Sequence, residues 1–173
     1  LGELQLLEEV HVSKCPHLTE LPDSICRLAK LKTLEVYDTG LAAVPDRIGD
    51  LKALQRLVLG SHGGNRLTAV PDSVCDIEKL HLLWLGNNQL ESLPARIGAL
   101  TSLQYLSVDH NKLTSLPDSV FELHPFTLED EFDFHDNPIP TKLVASYKAK
   151  IKEICRADRA ARKAARIAAG QGA

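Results

Sequence analysis

Between Leu80 and Leu103 the chain reads Leu-x-x-Leu-x-Leu-x-x-Asn-x-Leu-x-x-Leu-Pro-x-x-Ile-x-x-Leu and then begins again. The alternation over Leu83, Trp84 and Leu85 predicts a short strand buried on one face. Leu83 and Leu85 point inward and Trp84 points the other way. Asn88 follows the strand, and its amide offers donors and an acceptor to a buried turn. Pro94 fixes its own φ and opens a short helical turn, where its missing N–H costs nothing. Ile97 and Leu100 return to the inner side. One such unit leaves both its apolar edges bare, so it requires neighbours stacked on either side.

The neighbours are present. The leading leucines Leu7, Leu31, Leu54, Leu80 and Leu103 are spaced by 24, 23, 26 and 23 residues, and Pro22, Pro45, Pro71, Pro94 and Pro117 by 23, 26, 23 and 23. Phe132-Asp-Phe134-His-Asp-Asn137 restarts the strand and turn with the register slipped by three residues. Six parallel strands are therefore expected, centred on His11, Glu35, Val58, Trp84, Ser107 and Asp133. The outward column before these is Glu9, Thr33, Arg56, Leu82, Tyr105 and Glu131. The column after is Ser13, Tyr37, Gly60, Gly86, Asp109 and His135. The expected partner surface is Tyr37, Arg56, Val58, Leu82, Trp84, Tyr105, Asp109 and Asp133. Exposed aromatics beside an Arg have the composition of protein hot spots.

This pattern resembles the leucine-rich-repeat family, in its LPxxIxxL class of about 23 residues. The resemblance covers roughly residues 1 to 140. It implies an α/β solenoid, curved, with a parallel sheet on the concave side and short helical turns on the convex side. It also implies partner binding on the concave face. The Cys15-Pro16-His17-Leu18 turn of the first repeat resembles variants in plant immune receptors and bacterial effectors. The closing Asn137-Pro138-Ile139 resembles the way secreted bacterial effectors end such arrays. An intracellular scaffold of the Ras-group type is the alternative that the same resemblance allows.

Three departures from the repeat matter. Gly60-Ser-His-Gly-Gly-Asn65-Arg-Leu67 carries three extra residues, read as a rim loop whose glycines permit positive φ. Six acids, Glu122, Glu129, Asp130, Glu131, Asp133 and Asp136, crowd the last repeat as a solvated face or a contact for a basic partner. From Thr141 the period becomes helical, with Leu143, Tyr147, Ile151 and Ile154 as the apolar stripe and Thr141 as N-cap. The expected organisation is a repeat domain over 1–140, a capping helix over 141–155 and a basic Ala/Arg-rich helix or linker over 156–173, since solenoid ends need a cap.

Composition narrows the function classes. With 44% hydrophobic residues in 173, the chain has ample core for one domain. No run of 18 apolar residues exists, so no membrane span is expected. The net charge of −3 divides into −10 before residue 142 and +7 from Lys142 on. Past Cys155 the basic tail lacks aromatics, so it reads as a solvated helix or linker rather than a nucleic-acid site. Cys26 and Cys75 occupy equivalent positions two repeats apart, about 10 Å, beyond disulfide reach. With no CxxC and no glycosylation sequon, an intracellular setting is expected. The sequence contains no Met, and Leu1 and Leu4 fit the end of an earlier repeat, so it is expected to belong to a longer chain.

Catalytic chemistry has no foothold. There is no nucleophile elbow and no Walker or dinucleotide-binding glycine pattern. Asp109, His110, His135 and Asp136 fall on adjacent strands where a metal can gather, but exposed polar residues at repeat positions are the commoner case. No metal, no cofactor and no small-molecule substrate are expected. The reading is a non-enzymatic module that recognises a protein partner on its concave face, as the target-recognition part of a larger bacterial effector, a group in which the resemblance includes ubiquitin ligases. The alternatives are the Ras-group scaffold and a fragment of an enzyme whose catalytic domain lies elsewhere.

Overall fold

A computed structural model describes residues 4–60, 63–124 and 131–170. Leu1, Ser61, His62, Glu129 and Asp130, which entered the sequence reading, lie outside the described residues. Six strands, β1 (Glu9–Ser13), β2 (Thr33–Tyr37), β3 (Arg56–Val58), β4 (Leu82–Trp84), β5 (Tyr105–Ser107) and β6 (Phe132–Asp133), form one parallel sheet in sequence order. The register aligns His11, Glu35, Val58, Trp84, Ser107 and Asp133 in one row, and Glu9, Thr33, Arg56, Leu82 and Tyr105 in the row before. The expected central column therefore stands, as does the column before it as far as Tyr105, and of the column after it the register pairs Ser13 with Tyr37. Leu34, Leu57, Leu83 and Leu106 alternate inward and are fully buried, each with 0% exposure. That continuous leucine layer stabilises by about 2 kcal/mol per side chain removed from water.

After each strand the backbone turns through one left-handed residue. These are Lys14, Asp38, Gly64, Asn87, His110 and Asp136, with φ of 55°, 53°, 66°, 56°, 49° and 50°. For a residue other than Gly this conformation costs about 1 kcal/mol. The next residue offsets it. Asn88 donates from Nδ2 to the Leu59 and Leu85 carbonyls (2.9 and 3.0 Å) and accepts from Leu67 N (3.1 Å). Asn111 and Asn137 repeat the arrangement one and two repeats on. Asn65 starts the ladder by bonding Val36 O, Leu59 O, and the amide and hydroxyl of Thr39. The Thr39 and Cys15 variants of the turn thus lie at the N-terminal end of the ladder.

On the convex side each proline opens a short 3-10 turn, and the turns alternate in kind. Asp23–Arg27, Asp72–Asp76 and Asp118–Glu122 run five residues, whereas Ile48–Asp50 and Ile97–Ala99 run three. The short turns carry Gly49 and Gly98, and a Cβ on either would collide with the carbonyl of Ser73 or Ser119 in the next long turn. Glycine is required there by this close approach of neighbouring turns.

Among the described residues one α-helix, Thr141–Gly170, closes the array and runs unbroken through residues 155 and 156. Its docked face is Val144, Tyr147, Ile151, Ile154 and Cys155. Leu143, expected on that face, is exposed instead at 38%. The docking partners set the difference: Tyr147 stacks near Phe121 (5.7 Å between centroids), and its Oη accepts from Leu116 N (3.2 Å). Lys150 sits over the Phe121 ring at 3.9 Å. Rotating the helix to bury Leu143 would break these contacts. Tyr147→Phe removes the acceptor for Leu116 N and is expected to cost about 1 kcal/mol in denaturant unfolding.

Cys15 is exposed, whereas Cys26, Cys75 and Cys155 are buried. Burial pushes the Cys26 thiol up from its ordinary value and the Cys75 thiol up to about 11. Because the thiolate is the reactive form, a disulfide-exchange reagent at neutral pH is expected to label Cys15 quickly in the folded protein. Cys26, Cys75 and Cys155 should react only after denaturation. Rapid modification of all four without denaturant would contradict the packing.

Candidate functional site

The concave sheet divides into three zones along the array. At the N-terminal end, Glu35 lies between His11 Nδ1 (3.0 Å) and Arg56 Nη2 (3.2 Å). His11 also meets Glu9 at 3.4 Å. The hydrogen bond to Glu35, in first place, raises the His11 pKa above its ordinary value. Arg56 is exposed, as expected, but its guanidinium is already engaged by Glu35.

The middle zone is apolar. The register sets Leu82 between Arg56 and Tyr105 in one row and Trp84 between Val58 and Ser107 in the next. Leu82, Trp84, Tyr105 and Tyr37 are all half-buried. The Trp84 and Tyr105 rings lie 5.9 Å apart, tilted by 50°. Aromatic pairs at this separation contribute about 1 kcal/mol beyond their buried area. Gly86 makes room for the indole: a Cβ there would lie 2.9 Å from Trp84 Nε1 and would collide with Asp109 Oδ1. Trp84 Nε1 is tucked down at this point, buried and without a hydrogen-bond partner. Burial, reinforced by Asp133 and Asp109, pushes the Tyr105 phenol above its ordinary pKa.

Two residues expected on the contact surface do not present themselves there. Val58 is buried, with 6% exposure. Adjacent strands stand about 4.8 Å apart, and Val58 sits between Glu35 and Trp84, whose longer side chains overshadow a short β-branched one. Asp109 is likewise buried, at 8%. Ser107 Oγ donates to its Oδ1, and its Oδ2 meets His110 Nδ1 at 2.9 Å. It is a supporting carboxylate rather than a free acidic contact. Asp133, half-buried, holds His135 through Nδ1 and the backbone amide.

The third zone gathers what the sequence scattered. Asp109 and His110 follow β5, and His135 and Asp136 follow β6. The imidazoles of His110 and His135 meet edge to face with centroids 5.0 Å apart. The hydrogen bond to Asp133, first, then the charges of Asp133 and Asp136, hold the His135 pKa above its ordinary value. The signal for this cluster was the left-handed position before each Asn, shared by His110 and Asp136. Charge along the tail is carried separately, with Arg162 paired to Asp158 at 2.8 Å. Among the described residues, no helix is long and apolar enough to cross a membrane.

Comparison with known proteins agrees with this architecture. A family model described as Leucine Rich repeats (2 copies) matches residues 78–120. No curated protein sequence matches the chain. Among solved structures, an LRR protein of Leptospira interrogans is 32% identical with a TM-score of 0.77, over 86% of this chain and 36% of that one. The LRR ectodomain of the plant membrane receptor kinase GASSHO1/SCHENGEN3 from Arabidopsis thaliana, in complex with CASPARIAN STRIP INTEGRITY FACTOR 2, is 28% identical with a TM-score of 0.70. That match covers 79% of this chain and 16% of the ectodomain. The BIR3–SERK2 complex from Arabidopsis thaliana is matched at 27% identity and a TM-score of 0.56, over 68% of this chain and 61% of that one. The chain thus spans 36% and 16% of the first two structures it matches.

Proposed function

Because the chain belongs to the leucine-rich-repeat superfamily, we propose that it is a protein-interaction module whose concave face receives a protein partner on Leu82, Trp84 and Tyr105. The observation that carries this reading is the half-exposed aromatic pair Trp84–Tyr105, mounted at the centre of a rigid sheet beside Leu82. A central apolar anchor with a polar rim is how protein interfaces are built. The rim is supplied by Tyr37 and the Arg56–Glu35 pair on one side and by Asp133 on the other. Rigidity favours binding, since little side-chain entropy remains to be lost on association. The plant receptor ectodomain and the BIR3–SERK2 structure, each seen with a partner, support a binding role over a catalytic one.

The Asn137-Pro138-Ile139 close and the helix docked behind it support the effector-like form of this reading, in which the array selects the target of a larger protein inside a cell. The test is affinity capture with the whole chain as bait, in wild-type form and as Trp84→Ala. Partners bound by wild type and released by the variant support the concave face. Partners retained by the variant, and lost instead on deleting residues 159–170, would move the site to the tail.

A further inference from the structure

We propose that the corner formed by His110, His135 and Asp136 binds a divalent metal ion of the zinc type. The donors converge. Asp136 Oδ2 lies 3.1 Å from His110 Nε2 and 3.3 Å from His135 Nε2. A tetrahedral zinc ion with bonds of about 2.0–2.1 Å to N and O donors separates neighbouring ligand atoms by about 3.3 Å. Asp109, His110 and His135 also offer ligand atoms within 4.8 Å of one another.

The rings are held in the tautomer that metal binding requires. His110 Nδ1 is bonded to Asp109 Oδ2 at 2.9 Å, and His135 Nδ1 is bonded to Asp133 Oδ1. Carboxylates only accept, so each neutral imidazole places its single N–H at Nδ1 and its lone pair at Nε2. Both Nε2 lone pairs then face Asp136 Oδ2, which has only lone pairs of its own. A cation among the three atoms satisfies all of them, in the place a second ring proton takes when the imidazole is charged. A carboxylate behind each metal-binding histidine is the arrangement that orients the ring and raises its basicity. Asp109 is itself fixed by Ser107, so the support extends into the sheet.

The repeat geometry explains why the four side chains meet. His110 and Asp136 are equivalent left-handed residues of successive turns, and Asp109 and His135 are equivalent positions one residue earlier. The turns stand side by side, joined by His110 N donating to His135 O at 3.1 Å. Two imidazoles and one carboxylate suit zinc and the neighbouring borderline ions. Three protein ligands leave the fourth position open. The two rings are about half exposed, at 48% and 54%, so water or a side chain of a bound protein can fill it. This inference stands on the corner's own geometry and does not depend on what the apolar patch binds.

Titration of the metal-free whole chain with Co2+, read by visible absorption, and with Zn2+, read by calorimetry, tests it. One ion per chain with the absorption of a tetrahedral centre is expected. His110→Asn keeps the left-handed turn, which Asn tolerates, but removes the imidazole. It and His135→Ala should each weaken Co2+ binding at least tenfold. Asp133→Asn, which supports His135 from behind at Nδ1 and the backbone amide, should weaken it by about 10–100-fold. His17→Ala, a distant surface histidine, should change nothing. Absence of saturable binding near one ion per chain would overturn the proposal, as would unchanged binding in both His110→Asn and His135→Ala.

Discussion

Asn111→Ala is expected to lower the unfolding free energy by about 2–3 kcal/mol. The side chain is buried at 7% exposure. Its Nδ2 donates to Leu85 O, Val108 O and Asp109 O at 3.0, 3.1 and 3.0 Å, and its Oδ1 accepts from Leu90 N at 2.9 Å. Alanine leaves Leu90 N without its acceptor between two packed repeats, where an unsatisfied group costs about 1–3 kcal/mol, and strips the Leu85, Val108 and Asp109 carbonyls of one of their two donors. For a domain of this size the melting temperature should fall by about 6 °C or more. Gln89→Ala, beside the equivalent Asn88 one repeat earlier and half-exposed, should stay within about 0.5 kcal/mol of wild type. A loss at Asn111 as small as that at Gln89 would mean that water replaces the ladder at no cost.

Trp84→Ala is expected to weaken partner binding by about 2 kcal/mol or more, roughly thirtyfold. The indole is the largest side chain on the concave face, and truncation removes both its contact area and its ring pairing with Tyr105. The fold should survive, because the inward side chains of the same strand segment, Leu83 and Leu85, are untouched and fully buried. Unfolding measurements on the variant separate the two effects. Stability should drop by about 1 kcal/mol, mostly through the lost aromatic pair, while affinity drops much further.

The register of the sheet was legible because its signal is redundant. A period of two within each strand and a repeat near 23 residues both place Leu83 inside and Trp84 outside, and a slip of one residue would invert every repeat at once. The Asn turn was legible because one residue type suits it. What escaped was set by neighbours rather than by position. Val58 occupies an outward site, yet Glu35 and Trp84 beside it leave it 6% exposed. Asp109 looked like a free acid until Ser107, two residues earlier, and His110 closed over it. Leu143 fits the helical stripe, but the stripe is turned by the docking of Tyr147 on Phe121 and Leu116 N. The His110–His135–Asp136 corner was legible as polar residues on adjacent repeats, whereas how closely the three side chains meet is set by the stacked left-handed turns.

Trp84 is the only tryptophan in the chain, so its fluorescence reports on the centre of the concave face alone. Titrating the whole chain with a captured partner that lacks tryptophan, or whose tryptophans are replaced, measures occupancy of that face directly. A saturable change in Trp84 emission, with a midpoint equal to the Kd found by calorimetry, is the expected result. Saturable binding by calorimetry with Trp84 emission unchanged would place the partner elsewhere on the molecule and contradict the concave-face reading.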